Sequence, residues 1–249
     1  MPFTFAHPAL LIPLRLYQSL WYSWTALIIG TMVPDFEYFF RLETVSTHSH
    51  TFWGLLYWDI PVGLFLFIVY NQLVKKVVWT NLPSSLHERL HVYSQPITIF
   101  SLRQFIFVCF SIYLGAITHV FWDAWTHPKG YFVNYFTTLQ KEVIVLNYTI
   151  PYFKFAQHGS TLIGILAILH FIYRLPKSKT KAIPRIKPFW GSIIASTFIG
   201  YLIVYLVVPT TAIGALIVRG ISLFMLSIIV NSITFYKSIN RSRKDLNVK

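Results

Sequence analysis

Five apolar runs constrain the fold of this 249-residue chain more than any other feature. A helix needs about 20 mainly apolar residues to cross a bilayer, because hydrocarbon leaves every backbone polar group to be paired within the span. Charged residues make up only 12% of the sequence, whereas a soluble domain carries about 25%. We therefore predict an all-α integral membrane helical bundle of about five to six transmembrane helices, with spans over residues 52–70, 105–125, 161–173, 190–208 and 213–235.

The beginning of the chain has two shorter apolar stretches, residues 8–16 and 24–33. Their similar lengths predict a short N-terminal helical hairpin with its turn within residues 17–23. Two arms of equal rise would return Asp35 to the level of His7. Both side chains are then expected at one face of the membrane.

The formal charge of +13 is concentrated beside apolar runs, in residues 174–187 and 237–249. Basic residues that flank spans are typical of cytoplasmic segments, and they account for the charge without nucleic acid as a partner. We therefore predict a lipid bilayer partner, no nucleic-acid binding and a cytoplasmic C-terminus. Counting spans from this end places four polar groups at the opposite, non-cytoplasmic side: Asp35, His50, His127 and His158.

The chain divides into four predicted segments. Residues 1–176 form a membrane domain that carries the polar residues, and residues 177–188 form a basic cytoplasmic connector. Residues 189–236 form a C-terminal transmembrane hairpin, because a short stretch around Pro209 separates its two apolar runs. Residues 237–249 form a basic tail.

His119, Asp123 and His127 recur at four-residue steps at the end of the second apolar run. Residues four apart share a helix face, and ionisable groups at membrane depth mark functional sites. Cys109 is the only cysteine, so a metal here must be held by imidazole and carboxylate. His119 and His127 are separated by about 12 Å of helical rise, which favours two ions, or one ion with an outer partner. Asp123 is then expected to bridge the two ions or to orient a ligating histidine.

Other ionisable residues also cluster within or beside the apolar runs. We predict a metal site with these ligands: His7, Asp35, His50, His119, Asp123 and His127. Three more residues are predicted as outer groups or as the catalytic base: Glu37, Asp59 and His158. These ligands suit a divalent metal, zinc first and manganese or iron as alternatives. A structural polar network or an ion or proton relay remains an alternative use of the same residues.

A series of short motifs runs in order from residue 1 to about residue 176: MPFTFAHP (1–8), PDFEYF (34–39), SHT (49–51), WDIP (58–61), TH (118–119), WD (122–123), TH (126–127) and QH (157–158). This series resembles the bacterial membrane family catalogued as domain of unknown function 4184. The resemblance implies a multi-pass protein of the bacterial cytoplasmic membrane. It implies no particular activity.

The chain is also similar in outline to predicted membrane-bound metal-dependent hydrolases. Their motifs correspond here to His7, to Asp35, to His48 or His50, and to His119 with Asp123. His48 and His50 compete for one position, and His50 matches the family of unknown function 4184, which the chain resembles more closely. The resemblance implies a metal-dependent hydrolase. We expect a lipid-like or membrane-proximal substrate, because a site within spans is reached most easily from the bilayer. An ion-coupled transporter is the alternative, although the chain shows no inverted repeat of the kind that transporters have.

Overall fold

The structure is a computed structural model that describes residues 3–16, 23–90, 93–95, 97, 99, 101–178 and 186–246. Within these residues, helices dominate, and five of them are long and apolar enough to cross a membrane: Leu55–Thr80, Leu102–Tyr135, Tyr152–Arg174, Ile186–Val207 and Ile213–Tyr236. The prediction of an all-α, multi-pass membrane bundle is confirmed. The third span begins at Tyr152, before the predicted apolar run at 161–173. Its first turns carry polar residues, so the start of this helix is not visible as an apolar run in the sequence.

The described helices follow one another with short connections. In chain order they are α1 (Trp24–Gly30), α2 (Phe36–Arg41), α3 (Ile60–Val69), α4 (Lys75–Thr80), α5 (Ser84–Leu90), α6 (Leu102–Thr126), α7 (Tyr131–Tyr135), α8 (Tyr152–Arg174), α9 (Ile186–Val207) and α10 (Ile213–Leu246). Two π-helical turns flank α3, at Leu55–Asp59 and Tyr70–Val74.

The N-terminal arm Thr4–Leu16 is a 3-10 helix that contains Pro8 and Pro13. Each proline removes an N–H donor and crowds the preceding turn, so a regular α-helix is disfavoured here. The second arm is α1, which Ser23 caps by accepting a hydrogen bond from the backbone of Ala26. Most of the turn predicted between the arms, residues 17–22, lies outside the described residues.

The first compact unit comprises Met1–Asp35, Thr47–Leu64 and Phe100–Arg174. Within it, α1 packs on α6, and the 3-10 arm packs on α8. A Cβ atom on Gly30 would lie 2.3 Å from the Ile112 carbonyl oxygen, and one on Gly115 would lie 2.5 Å from that of Leu27. The two glycines therefore let the backbones of α1 and α6 touch.

A short antiparallel hairpin of β1 (Glu142–Val145) and β2 (Tyr148–Pro151) precedes α8 in the same unit. The two turn residues, Leu146 and Asn147, have positive φ angles of 49° and 67°. This is the two-residue turn that matches the twist of paired strands. The hairpin is an addition to the predicted fold.

The second unit comprises Phe36–Ser46, Phe65–Ile99 and Leu175–Lys249. Here α9 and α10 pack against each other as a hairpin, and Val77 of α4 forms a buried cluster with Phe189 and Ile193 of α9. Arg219 of α10 is buried and donates hydrogen bonds to the Glu43 carboxylate at 2.8 Å and to the Leu42 carbonyl oxygen at 3.2 Å. These bonds tie the segment after α2 to the last helix.

Candidate metal centre

His119 and Asp123 lie one turn apart on α6 and are both buried. The Nδ1 atom of His119 donates to the Thr31 carbonyl oxygen at 2.8 Å. This bond places the ring proton on Nδ1 and leaves the Nε2 lone pair free, as in metal-ligating histidines. The close crossing of α1 and α6 brings Thr31, the residue that ends α1, against this ring.

Asp35 is held in the 3-10 turn Val33–Asp35 and is completely buried. Its Oδ2 atom accepts a hydrogen bond from the Thr4 hydroxyl at 2.5 Å. Its Oδ1 atom lies 3.5 Å from Nε2 of His119. One oxygen is therefore anchored, while the other faces the α6 histidine.

His50 lies in the loop before the first span. Its Nε2 atom lies 3.7 Å from Oδ1 of Asp35 and 3.6 Å from Oδ2 of Asp123. His48 instead contacts the Tyr57 hydroxyl through Nδ1 at 2.8 Å and stacks on Trp58. Of the two histidines that compete in the sequence, His50 joins the group.

Asp35, His50, His119 and Asp123 form a group whose ligand atoms lie within 4.8 Å of one another. The separations between their nitrogen and oxygen atoms, 3.4 to 3.7 Å, exceed ordinary hydrogen-bond lengths. Metal bonds of about 2.1 Å in a tetrahedron separate neighbouring ligands by about 3.4 Å.

Two ligand atoms of this group, Nε2 of His119 and Oδ1 of Asp35, have no hydrogen-bond partner among the described residues. Two carboxylates and two imidazoles also match the charge of a divalent cation. The group can hold a metal ion.

Asp35 and His7 lie outside the five spans, and the electrostatics at these two residues favour the ligating protonation states. Burial raises the pKa of Asp35, but the facing His119 and His50 rings outweigh it and hold this pKa below its usual value. Burial and the neighbouring His119 lower the pKa of His7 to about 3. Asp35 is thus ionised and His7 is neutral near pH 7.

His7 and His127 lie on either side of the Asp123 carboxylate. His7 stacks on His119 and places Nε2 3.6 Å from Oδ1 of Asp123. His127 precedes Pro128, so α6 ends at Thr126 and His127 adopts an extended conformation. Its ring turns back, with Nδ1 3.5 Å from Oδ2 of Asp123. All six predicted ligands therefore belong to one cluster, and four of them form the compact group.

The three predicted catalytic residues occupy different environments. Glu37 belongs to the second unit and accepts hydrogen bonds from Arg41 and Ser46, both at 3.0 Å. Asp59 is completely buried in the π-helical turn that begins the first span. His158 is exposed, whereas the preceding Gln157 is buried. The catalytic roles stay predictions.

Thr4 is a site residue that the sequence reasoning missed. It lies three residues before His7, and residues three apart share a face of a 3-10 helix. Residues three apart also lie on one face of an α-helix, so the spacing of Thr4 and His7 is a signal in either kind of helix.

The five spans and the buried carboxylate–imidazole group define a multi-pass membrane protein with a candidate metal centre. The chain belongs to the family described as Domain of unknown function (DUF4184), whose sequence model matches residues 1–233. The family prediction is confirmed, and the match extends past residue 176 into the C-terminal hairpin. No curated protein and no solved structure matched the chain.

Proposed function

We propose that this protein is a membrane-bound, metal-dependent hydrolase whose ion is held by Asp35, His50, His119 and Asp123. The observation that supports it best is the set of 3.4 to 3.7 Å separations between buried ligand atoms. Zinc is the first choice, because four nitrogen and oxygen ligands at tetrahedral spacing suit it, and manganese or iron are the alternatives.

In a hydrolase the ion would bind a water as a fifth ligand beside these four side chains, and a metal-bound water of pKa about 7 is a nucleophile at neutral pH. The chain's own contribution is to fix the ligands: Thr31 orients His119, and Thr4 orients Asp35. Asp59 is our candidate for the general base, since it is a buried carboxyl group of the same unit. Glu37 and His158 are weaker candidates, because one is engaged by Arg41 and the other is exposed.

A lipid-like substrate is supported by an apolar groove in the same unit as the centre. The groove has a volume of about 320 Å³ and is lined by Phe52, Leu55, Tyr113, Ile117, Val120, Phe121 and Ala124. Phe52 follows His50 by two residues, while Val120 and Ala124 directly follow His119 and Asp123. We assign this groove to the acyl chain of the substrate because it is apolar and its lining residues neighbour three of the ligands in sequence.

The test uses the full chain purified in detergent, with zinc added. The fluorogenic probes are phosphate esters and carboxylic esters, each class with a short and a long hydrocarbon chain. We expect zinc-dependent hydrolysis that Asp123→Asn abolishes and Glu142→Gln retains, since Glu142 is an exposed carboxylate on β1. Ile117→Trp, which fills the groove, should raise KM for the long-chain probe alone.

Bound zinc without hydrolysis of either ester class would overturn the hydrolase and favour an ion-binding or transport role. No bound metal, with Asp123→Asn failing to fold, would favour the structural polar network.

A further inference from the structure

A single ion at the four-residue group leaves the environment of the buried His7 side chain unexplained. It is 1% exposed, and neither of its ring nitrogens has a hydrogen-bond partner among the described residues. A neutral imidazole always carries one N–H and one lone pair, and burial of both without partners is unfavourable. The position therefore calls for a ligand of its own.

The ring geometry excludes a shared ion. His7 and His119 stack with their centroids 3.8 Å apart and an interplanar angle of 19°. A histidine binds a metal through a lone pair in the plane of its ring. Because the two stacked rings lie in nearly parallel planes, an ion in the plane of the His119 ring lies well out of the plane of His7.

The Asp123 carboxylate supplies one oxygen to each ring. Oδ2 lies 3.4 Å from Nε2 of His119, whereas Oδ1 lies 3.6 Å from Nε2 of His7. Oδ1 is buried and has no hydrogen-bond partner in the described part of the chain. Both separations match those within the four-residue group.

We propose that the centre binds two divalent metal ions, the second held by His7 and by Oδ1 of Asp123, with Asp123 bridging the pair. Two-metal hydrolytic sites place their ions about 3.5 to 4 Å apart, which is close to the 3.8 Å spacing of the rings. This inference rests on the proposed function. It narrows that function to hydrolysis in which two ions flank the reacting group, as in enzymes that cleave phosphate esters.

The test is metal stoichiometry on the purified full chain, loaded with Mn²⁺ and freed of excess metal. We expect about two equivalents in the wild type and about one in His7→Ala. His170→Ala, which removes an exposed histidine of α8, should keep both. Electron paramagnetic resonance of the wild type needs no variant: a carboxylate-bridged Mn²⁺ pair gives an exchange-coupled spectrum.

The outcomes separate the two proposals. One equivalent in the wild type, with the spectrum of an isolated ion, overturns the second ion and leaves the proposed function standing. Two equivalents that persist in folded His7→Ala also overturn it. No bound metal in the wild type overturns both.

Discussion

The Nδ1 atom of His119 lies 2.8 Å from the Thr31 carbonyl oxygen, across 88 positions of sequence. This contact exists because Gly115 lets α1 approach α6 at backbone distance: a Cβ atom there would lie 2.5 Å from the Leu27 carbonyl oxygen and 2.7 Å from the Thr31 nitrogen. The fold of the first unit and the orientation of the ligand thus depend on the same crossing.

Gly115→Ala should force the two helices apart. We expect a loss of about 1 to 3 kcal/mol of stability from the overpacked contact and reduced zinc content, because the carbonyl partner of His119 is displaced. Thermal unfolding in detergent and metal analysis measure both. Gly159→Ala is the matched control, since a Cβ atom at Gly159 meets nothing within 4 Å. Equal zinc content in the two variants would contradict the argument.

His50→Ala and His48→Ala form a matched pair from one loop. Loss of His50 removes a ligand atom, so zinc should bind at least about tenfold more weakly, which is about 1.4 kcal/mol. Loss of His48 removes its contacts to Tyr57 and Trp58, and zinc affinity should stay unchanged. Titration of zinc against a competing chelator distinguishes the variants. The reverse order of affinities would assign the ligand to His48.

Thr4→Val keeps the shape of the side chain and removes the hydrogen bond to Oδ2 of Asp35. Loss of an orienting partner of a ligand lowers metal affinity by about 10- to 100-fold, and the same titration measures it. Thr118→Val is the control, because the Thr118 hydroxyl donates to the Gly115 carbonyl oxygen of its own helix. A Thr4→Val protein with wild-type affinity would show that this bond does not orient the carboxylate.

Metal removal should destabilise the protein. An ion that binds only the folded state contributes about 2.7 kcal/mol at a concentration 100 times its Kd. A chelator should therefore lower Tm in the wild type and leave Asp123→Asn unchanged, since that variant has already lost the stabilisation. An equal fall in Tm for both proteins would mean that the chelator acts elsewhere.

Orientation is tested separately. The basic segments predict a cytoplasmic C-terminus, so a reporter after Lys249 should be cytoplasmic. A reporter after Gly130, just past the His127 end of α6, should be on the other side of the membrane. Both reporters in one compartment would overturn the predicted sidedness of the centre.

The spans could be predicted because a bilayer imposes a length and a composition on every helix that crosses it. The central role of Asp123 also followed from helical spacing. The sequence could not distinguish His48 from His50, since that depends on how a loop folds against the first span. The sequence also could not show which of Gln157 and His158 is buried, because two adjacent positions on a helix face different directions.

Two features had signals that the sequence reasoning passed over. Pro128 restricts the residue before it, and this restriction ends α6 before His127. The run of β-branched residues on either side of Leu146 and Asn147 is typical of a hairpin with a two-residue turn.

The buried Arg219 has a consequence for the order in which the protein is assembled. An unpaired arginine within an apolar span raises the cost of inserting that helix into a membrane. In the folded protein, the Arg219 guanidinium pairs with the Glu43 carboxylate and donates to the Leu42 carbonyl oxygen. Both partners are synthesised long before α10. The last span therefore enters a membrane that already contains its counterion, so biogenesis of the C-terminal hairpin depends on correct placement of the segment after α2.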